Sequence, residues 1–284
     1  MTHGWEPRSP CGAGCLPSAG SVPAVGAVRR AARLVAVVVV LAALGCVLVS
    51  LPWRPARSGE RALRRWFRIA LAALGVRAQV SGGDRFGPRE VGALVVANHE
   101  SWLDVLALGA VQPLRMVCRS DVRGWPVVGV LAARAGTLFL DRHRLRPLPG
   151  TVAAITGLLR GGASVGVFPE GTTYCGTTTG EFRPAAFQAA LDAGALVCPV
   201  AVRYRVADVP TTAAAFVGDA VLWRSVTAVA AVRGLVVEIR VLPVLDAADP
   251  RWAATDRRTL AAAADAAVRG LPAPAPGEPV RCAA

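Results

Sequence analysis

Chemistry begins in the stretch Asn98-His99-Glu100-Ser101-Trp102-Leu103-Asp104, which follows the apolar run Val95-Val96-Ala97. The run reads as a strand ending at Ala97, and a helix is expected to begin near Ser101. His99 then sits on a strand-to-helix turn, at the rim of a sheet where such folds bind ligands. Asp104 comes five residues later, in the first turns of that helix. A carboxylate there can reach back to one ring nitrogen of His99, fix its tautomer and leave the other nitrogen as a general base. The same residue types also suit a capped helix start holding a hydrogen-bonded histidine, and spacing alone leaves both readings open.

A second stretch, Val165-Gly166-Val167-Phe168-Pro169-Glu170-Gly171-Thr172-Thr173, runs from a strand into a turn. Gly171 permits a tight backbone, and the neighbouring amides and hydroxyls can hold a polar ligand group. Other matches carry less. Gly162-Ala163-Ser164-Val165-Gly166 fits the pattern of serine hydrolases. That motif needs a strand, a sharp turn and then a helix, whereas here a helical stretch precedes Ser164 and a strand follows it. His143 lies in a charged loop without metal-partner spacing. Seven cysteines, at 11, 15, 46, 118, 175, 198 and 282, show no Cys-x-x-Cys pair, so they read as reduced thiols and no zinc site is expected.

The elements that must position these residues follow from the pattern between about 80 and 250. Strand candidates at 91–97, 114–118, 136–140, 164–168, 196–204 and 235–244 alternate with helical stretches near 101–110, 125–134, 148–160 and 182–193. A last helix is expected over 255–269. This alternation implies an α/β domain with a mixed, largely parallel sheet flanked by helices.

Together, His99-x-x-x-x-Asp104 and, about 65 residues on, Phe168-Pro169-Glu170-Gly171-Thr172 resemble the glycerolipid acyltransferase family, whose best-known members are lysophosphatidate acyltransferases. Between them, Gly136-Thr137-Leu138-Phe139-Leu140-Asp141-Arg142 is similar to the family's Gly-x-x-Phe-x-x-Arg block. Trp125-Pro126-Val127-Val128-Gly129 resembles the Pro-x-x-Gly before that block, and Val197-Cys198-Pro199-Val200 resembles a later one. The resemblance spans residues 91–204 and implies an O-acyltransferase. Its donor would be an acyl thioester of coenzyme A or acyl-carrier protein, and its acceptor a lysolipid hydroxyl, with 1-acylglycerol 3-phosphate the leading candidate. His99 would be the base and Asp104 its orienting partner. Arg142 would hold the acceptor head group, and Glu170, Gly171, Thr172 and Thr173 would shape the acceptor site. No metal, bound cofactor or acyl-enzyme is implied. One departure is Thr173, where many phosphatidate-forming members carry Arg. Glu-Gly-Thr-Thr resembles a subset that includes lyso-ornithine-lipid acyltransferases. Arg142 can still bind an anion, and Arg183 is a candidate to compensate for the missing arginine, which the sequence alone does not decide. The rival reading is a non-catalytic membrane-surface binding protein that keeps the fold, against which the intact His99–Asp104 pair argues.

Composition bounds the setting. The chain has 284 residues, 54% hydrophobic and 18% charged, with a net charge of +13. That balance excludes a disordered chain and suits an anionic partner. All the basic residues are Arg, and their densest cluster adjoins the longest apolar run, which favours a membrane over nucleic acid. Residues 1–33 read as a disordered tail and 271–284 as another. The uncharged run 34–51 is 18 residues long, so 34–52 reads as a transmembrane or membrane-inserted helix. Arg29, Arg30 and Arg33 precede it, and Arg54, Arg57, Arg61, Arg64, Arg65 and Arg68 follow. The excess behind the run places the catalytic domain, 81–270, at the cytoplasmic face of the cell membrane. Within 53–80, Leu63, Trp66, Phe67, Ala70, Leu71 and Leu74 recur at helical spacing opposite the arginines. That amphipathic segment suits a lipid interface or, alternatively, packing on the catalytic core.

Overall fold

The computed structural model describes residues 7–18, 20–50, 56–88, 91–125, 127–141, 146–249, 252 and 256–270. The strands are β1 (Arg77–Ser81), β2 (Ala93–Ala97), β3 (Arg115–Arg119), β4 (Leu138–Leu140), β5 (Ser164–Val167), β6 (Leu196–Val206), β7 (Val209–Pro210), β8 (Leu235–Val241) and β9 (Leu245–Asp246). The helices are α1 (Ala27–Ser50), α2 (Ala56–Ala73), α3 (Leu103–Val111), α4 (Val128–Arg134), α5 (Leu148–Arg160), α6 (Ala185–Ala193), α7 (Leu222–Ala231) and α8 (Arg257–Arg269). The main sheet runs β1-β8-β6-β2-β5-β3-β4, with β7 and β9 paired to β6. Neighbours are parallel along β1-β8, β6-β2-β5 and β5-β3-β4, and antiparallel where β6 meets β7, β8 and β9. The sheet is therefore mixed and largely parallel, as the alternation of elements predicts.

β2 is central, and all five of its residues are buried, as a strand covered on both faces requires. Pleating divides its side chains. Ala93, Val95 and Ala97 join the core on the side of α2 and α3, and Leu94 and Val96 join the core on the side of α5, α6 and α8. The register pairs Val96 with Val167 and Ala97 with Val200, so β2, β5 and β6 point the same way side by side. The turns after β2 and β5, which carry the two motifs, thus emerge together at the C-terminal edge of the sheet.

Three expectations are corrected or narrowed. Residues 1–33 are not a loose tail over the described part, 7–18 and 20–33. Ala27–Arg33 open α1, Val25 N–H donates to Ala231 O at 2.8 Å, and Arg33 Nη1 donates to the carbonyls of Ala230 and Val232. A Gly- and Pro-rich segment lacks periodicity, but its backbone can still be held by partners distant in sequence. The apolar face of α2 takes the second of the two readings left open, packing on the fold. Trp66, Ala70, Leu71 and Leu74 are buried against protein, and Trp66 Nε1 donates to Val40 O at 2.8 Å. Arg64 and Arg68 also turn toward the fold, their Nε atoms donating to Ala110 O near the C-terminal end of α3, where the helix dipole favours cations. Finally, β1 and α7 were not expected. Every residue of β1 is exposed on an edge strand, and α7 carries β-branched Val226, Thr227 and Val229, which are weak helix formers. Residues 271–284 lie outside the described part.

α2 meets α3 at Gly109, where a Cβ would stand 2.5 Å from the Phe67 ring. Gly109→Ala is expected to push the two helices apart and cost about 1–3 kcal/mol of stability in urea unfolding. Adding Phe67→Leu to the same chain should recover part of the loss.

Candidate active site

β2 continues past Ala97 by means of a side chain. Asn98 Oδ1 accepts from Val202 N–H and Asn98 Nδ2 donates to Val202 O, both at 2.8 Å, so an amide side chain extends the ladder to β6. The backbone is then free to turn, and His99 lies on that turn. His99 Nδ1 is 2.8 Å from Asp104 Oδ2. The same oxygen accepts the backbone N–H groups of Glu100 and Ser101, each at 2.8 Å. The other, Oδ1, accepts the hydroxyl of Tyr204 from β6. Asp104 is fully buried in the first turn of α3, where the dipole also favours a carboxylate. With Nδ1–H donating to Asp104, Nε2 is the ring nitrogen with a lone pair to offer. Phe168 holds the imidazole plane, the two rings stacking 3.9 Å apart at 6°.

Glu170 meets this turn from β5. Its Oε2 accepts from His99 N–H at 2.6 Å and its Oε1 from Gly180 N–H at 2.9 Å. Glu170 is 3% exposed, and with both oxygens engaged by backbone donors it braces the backbone under His99. Burial raises it to about 7, against the two backbone donors that favour ionisation. Glu100 is also buried, and desolvation followed by the nearby Asp104 holds it well above the usual carboxylate range. A cavity of about 240 Å³ opens beside Glu100 and Glu170, with Arg203, Asp265 and Arg269 in its wall. Arg269 secures the loop there by donating to Gly180 O at 2.7 Å.

The remaining expected site residues divide. Gly171 takes φ +78°, the left-handed turn that its type allows. The Arg183 side chain runs beside it, with Cδ 3.5 Å from where a Cβ on Gly171 would stand. Thr172 is half-buried on the same turn. Thr173 does not present a free hydroxyl to an acceptor, because its Oγ1 donates to Phe216 O. Arg142 and His143 lie outside the described residues. Ser164 opens β5, and its hydroxyl accepts from Gln112 Nε2 at 2.9 Å, in keeping with its rejection as a nucleophile. Burial pushes the Cys198 thiol up to about 12, so it too is no nucleophile.

A family model described as Acyltransferase matches residues 77–203, which hold both turns. The chain is 34% identical over 203 residues to a 1-acyl-sn-glycerol-3-phosphate acyltransferase of Neisseria gonorrhoeae, covering 71% of this chain and 79% of that protein. The chain belongs to the acyltransferase family. It is also 39% identical to a lyso-ornithine lipid O-acyltransferase of Pseudomonas aeruginosa, over 67% of this chain and 73% of that protein. The fold matches the crystal structure of the 1-acyl-sn-glycerophosphate acyltransferase PlsC from Thermotoga maritima. That match has a TM-score of 0.62 at 19% identity and covers 86% of this chain and 93% of the other.

Asn98, Phe168 and Tyr204 complete the constellation around His99 and are not singled out by the sequence. Tyr204 is a hundred residues from Asp104, and only the register of β6 beside β2 brings them together. Asn98 and Phe168 flank the motifs and were legible as neighbours, though not as a ladder extension or a stacking partner.

Glu170 makes stability depend on pH. An unfolded glutamate titrates near 4.5 and this folded one near 7. Between those values the folded chain keeps a proton that the unfolded chain releases, so stability falls as pH rises through the window. The shift corresponds to about 3 kcal/mol at most. In Glu170→Gln, urea unfolding between pH 4.5 and 7 should show a shallower decline than wild type.

Proposed function

We propose that this acyltransferase moves an acyl chain from an acyl-CoA or acyl-carrier-protein thioester to the hydroxyl of 1-acylglycerol 3-phosphate, giving phosphatidate. The observation that carries the reading is His99 Nδ1 bound at 2.8 Å to a buried Asp104 that accepts three further hydrogen bonds. Nε2 takes the acceptor's hydroxyl proton as the oxygen attacks the thioester carbonyl. Asp104 stabilises the imidazolium that forms. The adduct collapses, the C–S bond breaks, and the departing thiolate receives the proton from His99. Holding both substrates together supplies much of the rate through orientation, so no acyl-enzyme or metal is needed.

The acceptor's phosphate needs a cation, for which Arg offers paired hydrogen bonds. Arg183, whose side chain runs beside Gly171, is one candidate, and Arg142 is the one implied by resemblance. A second reading, a phosphate-free acceptor such as lyso-ornithine lipid, is favoured by Thr173, whose hydroxyl is tied to Phe216, and by the Pseudomonas relative.

Membrane association rests on α1. Among the described residues it is the helix long and apolar enough to cross a membrane, over Ala27–Val47. Yet Leu44 is buried with Trp66 and Ala70 of α2, and Arg33 is tied to the carbonyls after α7. The helix therefore lies along the domain and turns Val35, Val38, Val39 and Val49 outward. Such a stripe suits insertion in the plane of the cytoplasmic leaflet, with exposed Arg61 and Arg65 of α2 near anionic head groups.

Purified protein given one labelled acyl-CoA and a panel of lysolipids should acylate 1-acylglycerol 3-phosphate. His99→Ala should lose about 10²–10⁴ of the rate while staying folded. Arg183→Ala should raise KM for that acceptor more than for lyso-ornithine lipid. Preference for the phosphate-free acceptor would transfer the assignment to the second reading. Wild-type turnover by His99→Ala would remove the mechanism. Val35→Asp with Val39→Asp should weaken binding to anionic vesicles about tenfold or more, read by co-sedimentation.

A further inference from the structure

We propose that Cys11, Cys15 and Cys175 form a three-thiolate zinc site that staples the N-terminal segment onto the loop following Glu170. The three Sγ atoms lie within 4.8 Å of one another. Sulfurs sharing one Zn²⁺ at about 2.3 Å stand about 3.8 Å apart, so closure needs movements of roughly an ångström. Those movements fall mainly on residues 9–15, whose regular structure is the single 3₁₀ turn Ala13–Cys15. Cys-x-x-x-Cys is an ordinary zinc spacing, and that turn folds Cys15 back toward Cys11, with Cys15 N–H donating to Gly12 O at 3.0 Å. Three soft sulfur ligands select zinc over the hard cations Mg²⁺ and Ca²⁺.

The surroundings are those of a built site. Cys11 and Cys175 are buried, walled by Ala215 and Val217, while Cys15 is half-buried at the open side, where a water can complete four-coordination. The Thr177 hydroxyl lies 2.9 Å from Cys175 Sγ and can donate to a thiolate. Thr212 Oγ1 fixes the far ligand by donating to Cys15 O at 2.7 Å. A disulfide would join two of these sulfurs and leave the third without a role.

The site connects to the catalytic turn. Tyr174, next to Cys175, donates its N–H to His99 O at 2.8 Å, and Phe216, next to Ala215, donates its N–H to Glu100 O at 2.9 Å. A bound cation would hold the N-terminal segment, the Glu170 loop and the 211–219 loop as one unit against that turn. The sequence holds the close pair Cys11 and Cys15 but gives no hint of the third ligand, since Cys175 lies 160 residues from Cys15.

The test is metal content of the full-length chain, purified with a thiol reductant and without chelator. Mass spectrometry of the metal should find about one zinc per chain. Cys11→Ser, Cys15→Ser and Cys175→Ser should each lose most of it, while Cys46→Ser and Cys118→Ser keep it. Cobalt added to the metal-stripped wild type should give thiolate-to-cobalt charge-transfer absorption, which stays informative even where a variant folds poorly. A chelator should lower the wild-type Tm but not that of Cys175→Ser. Wild type that takes up neither zinc nor cobalt would overturn the proposal. So would retention of the metal by the triple variant, or a Cys11–Cys175 disulfide in chains whose thiols are trapped directly from cells.

Discussion

The hydrogen bonds converging on the Asp104 carboxylate are the constraint on which the rest of the site depends. Four donors meet on two oxygens: a ring nitrogen, two backbone amides and a phenol. A buried carboxylate is costly unless its lone pairs are filled, and buried donors are costly unless accepted. Each side of the arrangement therefore needs the other. The turn from β2 to α3 cannot relax without orphaning the Glu100 and Ser101 amides, and the imidazole cannot rotate without leaving Asp104. Tyr204 extends the same constraint to β6, so the sheet register and the histidine's orientation are set by one group.

Glu170 repeats the principle from the other strand. Asp104 gathers donors from within its own turn, whereas Glu170 joins two loops, accepting from His99 and from Gly180, whose carbonyl is in turn held by Arg269 of α8. The parallel pairing of β2 with β5 makes this possible, because it brings both loops out at one edge. Crowding has an electrostatic consequence. Glu100, Asp104 and Glu170 share a small desolvated region, and Glu100 and Glu170 both respond by holding protons more tightly than a solvated glutamate. Glu100 also accepts the Asn98 amide at 3.1 Å, which ties it to the residue that extends β2.

Much of this was legible in the sequence, for identifiable reasons. β2, β5 and β6 announce themselves because buried parallel strands are apolar runs, and the turn residues between such runs mark the elements that alternate with them. His99 and Asp104 were legible because their partnership is local, five residues across one turn. Relations that depend on the sheet were not. Tyr204 beneath Asp104, Asn98 bridging to Val202, and Cys175 beside Cys11 join residues that are neighbours only after the strands have paired. The α2 helix stayed undecided in the sequence for a different reason. A basic amphipathic pattern has the same period whether its apolar face meets lipid or protein, and Gly109, which admits Phe67, lies in another helix.

On the proposed reading, catalysis and acceptor choice are carried by different parts of the chain. The base and its partner belong to the β2–α3 turn, where the hydrogen-bonding capacity of Asp104 is filled from within the fold. The residues that the resemblance assigns to the acceptor site, Glu170 to Thr173, belong to the loop after β5. There the Thr173 hydroxyl does not wait for a ligand but ties this loop to Phe216, whose own N–H reaches Glu100. A larger or charged side chain at 173 would alter two things together, the polarity beside the acceptor and the tether between the loops. Thr173 is thus not simply a missing arginine. Its exchange couples the polarity of this loop to the position of the 211–219 loop, because one hydroxyl serves both.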